Sequence, residues 1–138
     1  MSAATKNRPT STKLVRNIGL PVKASTKCIG GTLGASDGDG LAVPATKTTG
    51  LKVWGKFVTT YDNSSGSNGD VRAVIEFGRE IEVMLFANDA GTPVTSADVG
   101  TDCYALDNQT VTGDSTGASK AGTVYEVTSE GVWIFPNL

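Results

Sequence analysis

Apolar residues recur along this chain at every second position more often than at every third or fourth. In "DVRAVIEFG", Val71, Ala73, Ile75 and Phe77 share one face of an extended segment. "EIEVMLFA" reads with Ile81, Val83 and Leu85 on one face and Glu80 and Glu82 on the other. "AGTVYEVT" alternates around Thr123, Tyr125 and Val127, and "GVWIF" sets Val132 and Ile134 against Trp133 and Phe135. No stretch keeps an i, i+3, i+4, i+7 pattern long enough for a core helix. Turn chemistry separates the runs. "SDGDG" (residues 36–40) predicts a hairpin between "GTLGA" and "LAVPA", "SEG" (129–131) predicts another, and "FGRE" (77–80) a tight link. About eight to ten strands at this spacing predict a small barrel or sandwich.

One segment departs from the period. In "TPVTSADVG", Thr95 stands three residues before Asp98, a capping-box start, and Gly100 supplies a stop. A single helical turn is expected over 96–99, bridging one end of a barrel. "YDNSSGSNGD" (61–70) and "DNQTVTGDSTGASK" (107–120) read as long polar loops, the second with a short strand at Thr110–Val111.

Charge adds a division that hydropathy does not show. The chain of 138 residues has a net charge of −2, yet residues 1–60 carry nine basic and two acidic residues, and residues 61–138 carry three basic and twelve acidic. The stretch "KNRPTSTKLVR" holds Lys6, Arg8, Lys13 and Arg16, and no acid precedes Asp37. The acidic half would repel a phosphate backbone, so direct nucleic-acid binding is not expected. A basic arm lying on an acidic surface, its own or a neighbour's, fits better. The following "KLVRNIGLPVKA" holds Leu14, Val15, Ile18, Leu20 and Val22, too apolar for open solvent. Pro21 argues for an edge or added strand, and such a segment can add to the sheet edge of another chain.

Catalytic chemistry is sparse. The chain has no histidine, the commonest general base and metal ligand. Ser64, Ser65 and Ser67 therefore lack an activating partner. Asp37 and Asp39 in "DGDG" read as a turn, since no downstream oxygen ligands complete a calcium loop. Asp62 and Asp70 read as loop solvation, and Glu76, Glu80 and Glu82 as a solvated face rather than a glycosidase pair. "GGTLGASDGDG" lacks the G-K-[ST] of a phosphate cradle. Cys28 and Cys103 read as small buried hydrophobes, with no pairing assigned. Trp54 and Trp133 read as core or subunit-interface residues. Asn63 and Asn108 match the glycosylation pattern, but no secretion signal gives that weight. No apolar run is long enough to span a membrane as a helix.

The order of "ASTKCIGGTLGASDGDGLAVPATKTTGLKVWGKF", "YDNSSGSNGDVRAVIEFG", "LFANDAGTPVTSADVGTDCYALDNQTV" and "GASKAGTVYEVTSEGVWI" resembles the small all-β capsid decoration, or cement, proteins of tailed bacteriophages. The resemblance runs from about Ala24 to Phe135, and the block "PVTSADVGTDCYALDNQTV" carries it most specifically. It implies an all-β fold, a small β-barrel of β-tulip-like style. The expected organisation is an extended basic arm over 1–23 and one barrel domain over 24–138. It further implies a homotrimer on the outer surface of the virion capsid, made in the host cytoplasm, that binds the major capsid protein and stabilises the head. The family carries no catalytic, cofactor or metal residues to transfer, so no enzyme activity, cofactor or metal is expected. The arm residues Lys6, Arg8, Lys13, Leu14, Val15 and Arg16 are the expected capsid contacts. The alternatives are a head–tail or tail-associated β-module, or a receptor- or polysaccharide-binding β-domain.

Overall fold

The computed structural model describes residues 3–13, 15–77 and 82–137. Twelve strands are defined there: β1 Asn17–Pro21, β2 Thr26–Cys28, β3 Leu33–Ser36, β4 Ala42–Pro44, β5 Lys52–Phe57, β6 Tyr61–Asn63, β7 Arg72–Glu76, β8 Met84–Asn88, β9 Asp102–Ala105, β10 Thr110–Thr112, β11 Lys120–Thr128 and β12 Gly131–Pro136. Several span only three residues, which is why the count exceeds the eight to ten expected. The single helical element is a 3-10 turn, Ser96–Asp98. Thr95 and Asp98 form the capping box that the spacing implies, with the Thr95 N–H donating to Asp98 Oδ2 at 2.8 Å.

Five strands close into a barrel in the order β10-β8-β12-β11-β9, with β9 pairing back to β10. All its pairings are antiparallel except β10–β8, where Thr110 faces Ala87 and Val111 faces Asn88 in parallel. The fold is thus all-β with a closed five-stranded barrel. A second, antiparallel sheet runs β1-β7-β5-β3-β4, and β2 pairs with β6 as a separate ribbon. The expected hairpins at 36–40 and 129–131 are present: Ser36 faces Ala42, and Thr128 faces Gly131. The 77–80 link lies largely outside the described residues.

Two apolar clusters hold these layers together. The larger fills the barrel with Met84, Phe86, Val111, Val124, Val132 and Ile134 and takes in Leu33, Ala35 and Val53 from the open sheet. The smaller gathers Val22, Cys28, Ala42, Phe57, Ala73 and Ile75, with Trp54 and Tyr61 against it. Strand β3 lies between them, and all four of its residues are buried. A Cβ at Gly34 would press on the Phe57 ring and on Ile75 Cδ1, so the small residue is required there. At Gly55 a Cβ would collide with the carbonyl oxygen of Glu76, on the strand β7 that pairs with β5.

Two expectations about side-chain direction are corrected. In β8, Met84 and Phe86 are buried and Leu85 faces outward, 36% exposed. The barrel interior takes the residues opposite Val132 and Ile134, and this sets the parity of β8. In β11 the register shifts between Val124 and Glu126. This bulge leaves Val124 inside and turns both Tyr125 and Glu126 out, breaking the simple alternation.

The expected boundary of the arm at residue 23 also moves. β1 pairs antiparallel with β7 of the same chain, Ile18 opposite Ile75 and Leu20 opposite Ala73. Ile18, Leu20 and Val22 join the smaller cluster, so burial against their own sheet satisfies the apolar run. The extended arm therefore ends at Arg16, and the edge-strand role that Pro21 implies is filled within the chain.

The exposed edges of this sheet are blunted. The Phe77 N–H donates to Arg16 O, and the Val22 N–H to Val71 O. By alternation Gly19 and Pro21 direct their backbone away from β7. Pro21 has no N–H to offer, and Arg72 Nη2 donates to Gly19 O at 2.9 Å. Beyond them, Val22 bridges to Ala42 in parallel, and the Lys23 N–H donates to Ala42 O at 3.2 Å, drawing β1 towards β4. On β4, Pro44 again removes a donor.

Candidate functional site

Arm residues 3–13 and Val15 are all exposed. Pro9 and the Thr- and Ser-rich composition give this segment no apolar face to bury. Its side-chain hydrogen bonding is local, Arg8 Nη1 to Thr10 Oγ1 at 3.4 Å. Lys6, Arg8 and Lys13 form no ion pair with any described residue, and Val15 is 55% exposed. Leu14, the remaining apolar contact expected here, lies outside the described residues. Arg16 behaves differently from the other cations. It forms an ion pair with Glu82, and its carbonyl accepts from Phe77, so it anchors the root of the arm to the body. Of the six expected contact residues, Lys6, Arg8, Lys13 and Val15 are thus presented to solvent, while Arg16 is engaged internally.

The other candidate chemistry resolves into turns. Asp37 Oδ1 accepts from the backbone of Asp39 and Leu41, a local turn closure. Asp62 accepts from the Ser64 N–H and hydroxyl, and Asp70 from the Ser67 N–H. The Ser64 hydroxyl and N–H hold the Asp62 carboxyl below its ordinary range. The Gly91 N–H and the Thr112 hydroxyl do the same for Asp89, and the Thr116 N–H and Lys47 for Asp114. These carboxylates stay ionised at neutral pH and organise loops. No group of three or more metal-capable side chains occurs among the described residues. Glu76 lies on β7 opposite Asn17 and Lys56. Glu80, its expected companion, lies outside the described residues.

Cys28 and Cys103 are both buried and free. Burial pushes the Cys28 thiol up to about 11 and the Cys103 thiol up to about 12. Thiols held so far above neutrality are poor nucleophiles. Asn63 is buried at 2% exposure, and its amide nitrogen is bonded to backbone carbonyls, so it is no glycan acceptor in the folded chain.

A groove of about 570 Å³ runs beside β4, with Val43, Pro44 and Leu51 along it and Lys23, Asp37 and Thr46 at its rim. Thr46 and Thr48 hydrogen-bond to each other at 2.9 Å.

One surface was not anticipated from the sequence. On the outside of the barrel, Leu85, Trp133 and Glu126 form a row across β8, β12 and β11. Beside it Tyr125, 53% exposed, packs edge-on against Phe135 at 5.4 Å between ring centres. Glu126 and Glu130 are exposed and form no ion pair among the described residues. The bulge in β11 aims Tyr125 outward, and nothing in the alternation of residues 121–128 announces it. This chain matches no protein-family model, no curated protein and no solved structure.

Proposed function

We propose that this protein is a structural virion component that binds the outside of a tailed-phage head as a trimer and stabilises the capsid. The observation that carries this reading is the arm. It is a basic segment free of acid, exposed at every described residue from 3 to 13, leading out of an all-β body at the Arg16 anchor. Such a segment is suited to reaching a neighbouring acidic surface. The sequence resemblance to decoration proteins supplies the kind of neighbour, the major capsid protein. Exposed ion pairs contribute only ~0–1 kcal/mol each. Engagement of several arms at once raises apparent affinity by ~10²–10⁴-fold, so weak individual contacts suffice.

The test is occupancy of purified, expanded empty heads by the full chain and by a chain lacking residues 2–13. This deletion spares Arg16 and every strand, so the body should fold. Binding of the full chain, weakened by the deletion and by added salt, is the expected result. Failure of the full chain to bind heads at any salt concentration would remove the reading.

A further inference from the structure

We propose that the arm of one copy docks on the outer face of β8, β12 and β11 of a second copy, with its cations against Glu126 and Glu130 and its backbone over Tyr125 and Trp133. The inference gives the arm a neighbouring copy as its acidic partner in place of the capsid protein, and it rests on the preceding reading only in treating the arm as a contact segment.

Charge complementarity carries it. The arm presents Lys6, Arg8 and Lys13 with no acid among them, and none of the three is paired with a described residue. Residues 82–137 hold eight acids and one base, Lys120, which is already bonded to Asp102 at 3.1 Å. Several of those acids are occupied: Glu82 by Arg16, Asp114 by Lys47, and Asp98 in its capping box. Glu126 and Glu130 are exposed and unpaired among the described residues, and Glu126 lies opposite Trp133 in the ladder.

Aromatic surface beside free carboxylates suits an Arg- and Lys-bearing strand. A guanidinium gains from a ring face and from a carboxylate at once. An arm of thirteen residues, 3–15, reaches about 40 Å when extended, enough to cross a neighbour of this size.

The occupant is a second copy because each copy carries both halves of the contact, a basic arm whose Lys6, Arg8 and Lys13 are unpaired and an acidic face whose Glu126 and Glu130 are unpaired among the described residues. The blunted edges of the β1–β4 sheet also direct docking to side chains rather than to strand addition. Arm and acceptor face are different surfaces, so the contact is head-to-tail and either closes into a ring or propagates.

Sedimentation equilibrium of the full chain, without heads, tests this over a range of concentration and salt. Association that strengthens with concentration and weakens with salt is expected. A Glu126→Lys, Glu130→Lys variant and a Lys6→Glu, Arg8→Glu, Lys13→Glu variant should each associate at least about tenfold more weakly. Mixing the two should restore association, because the reversed arm meets the reversed face. All these positions are exposed, and near-UV circular dichroism checks that each variant is folded.

A chain that stays monomeric at every concentration overturns the inference. So does association indifferent to both reversals, or a mixture that fails to recover. If the full chain is monomeric while reversing the arm abolishes head binding, the shell is the arm's partner and the cement reading stands without this inference. Self-association without head binding overturns the cement reading alone.

Discussion

Replacing Asn63 by alanine should destabilise the body without touching the arm. Asn63 is 2% exposed, and its Nδ2 lies 3.2 Å from Val22 O, 3.1 Å from Lys23 O and 2.9 Å from Ser67 O. It ties the end of β1 to the loop after β6. An amide nitrogen has two hydrogens for these three acceptors, so two full hydrogen bonds are lost. Each contributes about 1 kcal/mol net; Val22 O and Ser67 O keep the N–H groups of Gly69 and Asp70, so only Lys23 O is left unpaired, at about 1 kcal/mol more. The expected loss is therefore about 2–4 kcal/mol, which lowers the melting temperature by roughly 5–15 °C for a domain of this size. Urea unfolding should show a lower midpoint with an unchanged slope.

Asn63→Asp separates hydrogen bonding from packing. The carboxylate has nearly the same shape but faces three carbonyl oxygens and donates nothing when ionised. Its folded-state pKa should therefore rise. A raised folded pKa gives stability that is present below the unfolded value near 4 and lost as pH rises through the folded value. The aspartate variant should thus lie closer to the parent at pH 4 than at pH 7. A loss below about 0.5 kcal/mol for Asn63→Ala, or no pH dependence for Asn63→Asp relative to the parent, would refute the reasoning.

Gly55→Ala should cost several kcal/mol or prevent folding, because its Cβ meets the Glu76 carbonyl oxygen and backbone must shift; thermal melts beside a Gly38→Ala control, where the Cβ meets open space, check this. Asp62, Asp89 and Asp114 have depressed folded-state pKa values, so their contribution is present above the ordinary carboxylate value of 3.8 and is lost as pH falls through the folded values. Urea midpoints should accordingly fall on the acid side, with a shallower fall in Asp89→Asn. Both thiols should resist a disulfide reagent at pH 8 in the native protein and react fully in urea, since burial raises their pKa; rapid native labelling would contradict their burial.

Local chemistry made part of this fold readable in the sequence. The period-2 run over 71–77 places Ala73, Ile75 and Phe77 inside as expected. The Asp37–Gly40 turn and the Thr95–Asp98 box each follow from a few neighbouring residues. What stayed hidden depends on partners distant in the chain. The inward direction of Met84 rather than Leu85 is set by β12, some fifty residues later. β6 emerges from a polar loop because β2 supplies its ladder. The apolar residues of β1 looked available to another chain because nothing local reveals β7 as their partner. The basic arm was legible as a charge imbalance, but the face with Tyr125 and Glu126 was not, since a bulge reverses the alternation that would have located it.

Strand β3 has a consequence for how the molecule comes apart. It offers Leu33 and Ala35 to one cluster and leaves Gly34 against Phe57 and Ile75 of the other, with no exposed residue of its own. A strand shared in this way cannot leave one layer and remain in the other. The barrel and the open sheet are consequently coupled into one cooperative unit, and opening either exposes the other. Hydrogen exchange of the β3 and β5 amides should therefore proceed only through global unfolding, with the slowest amides of both layers reporting one common free energy.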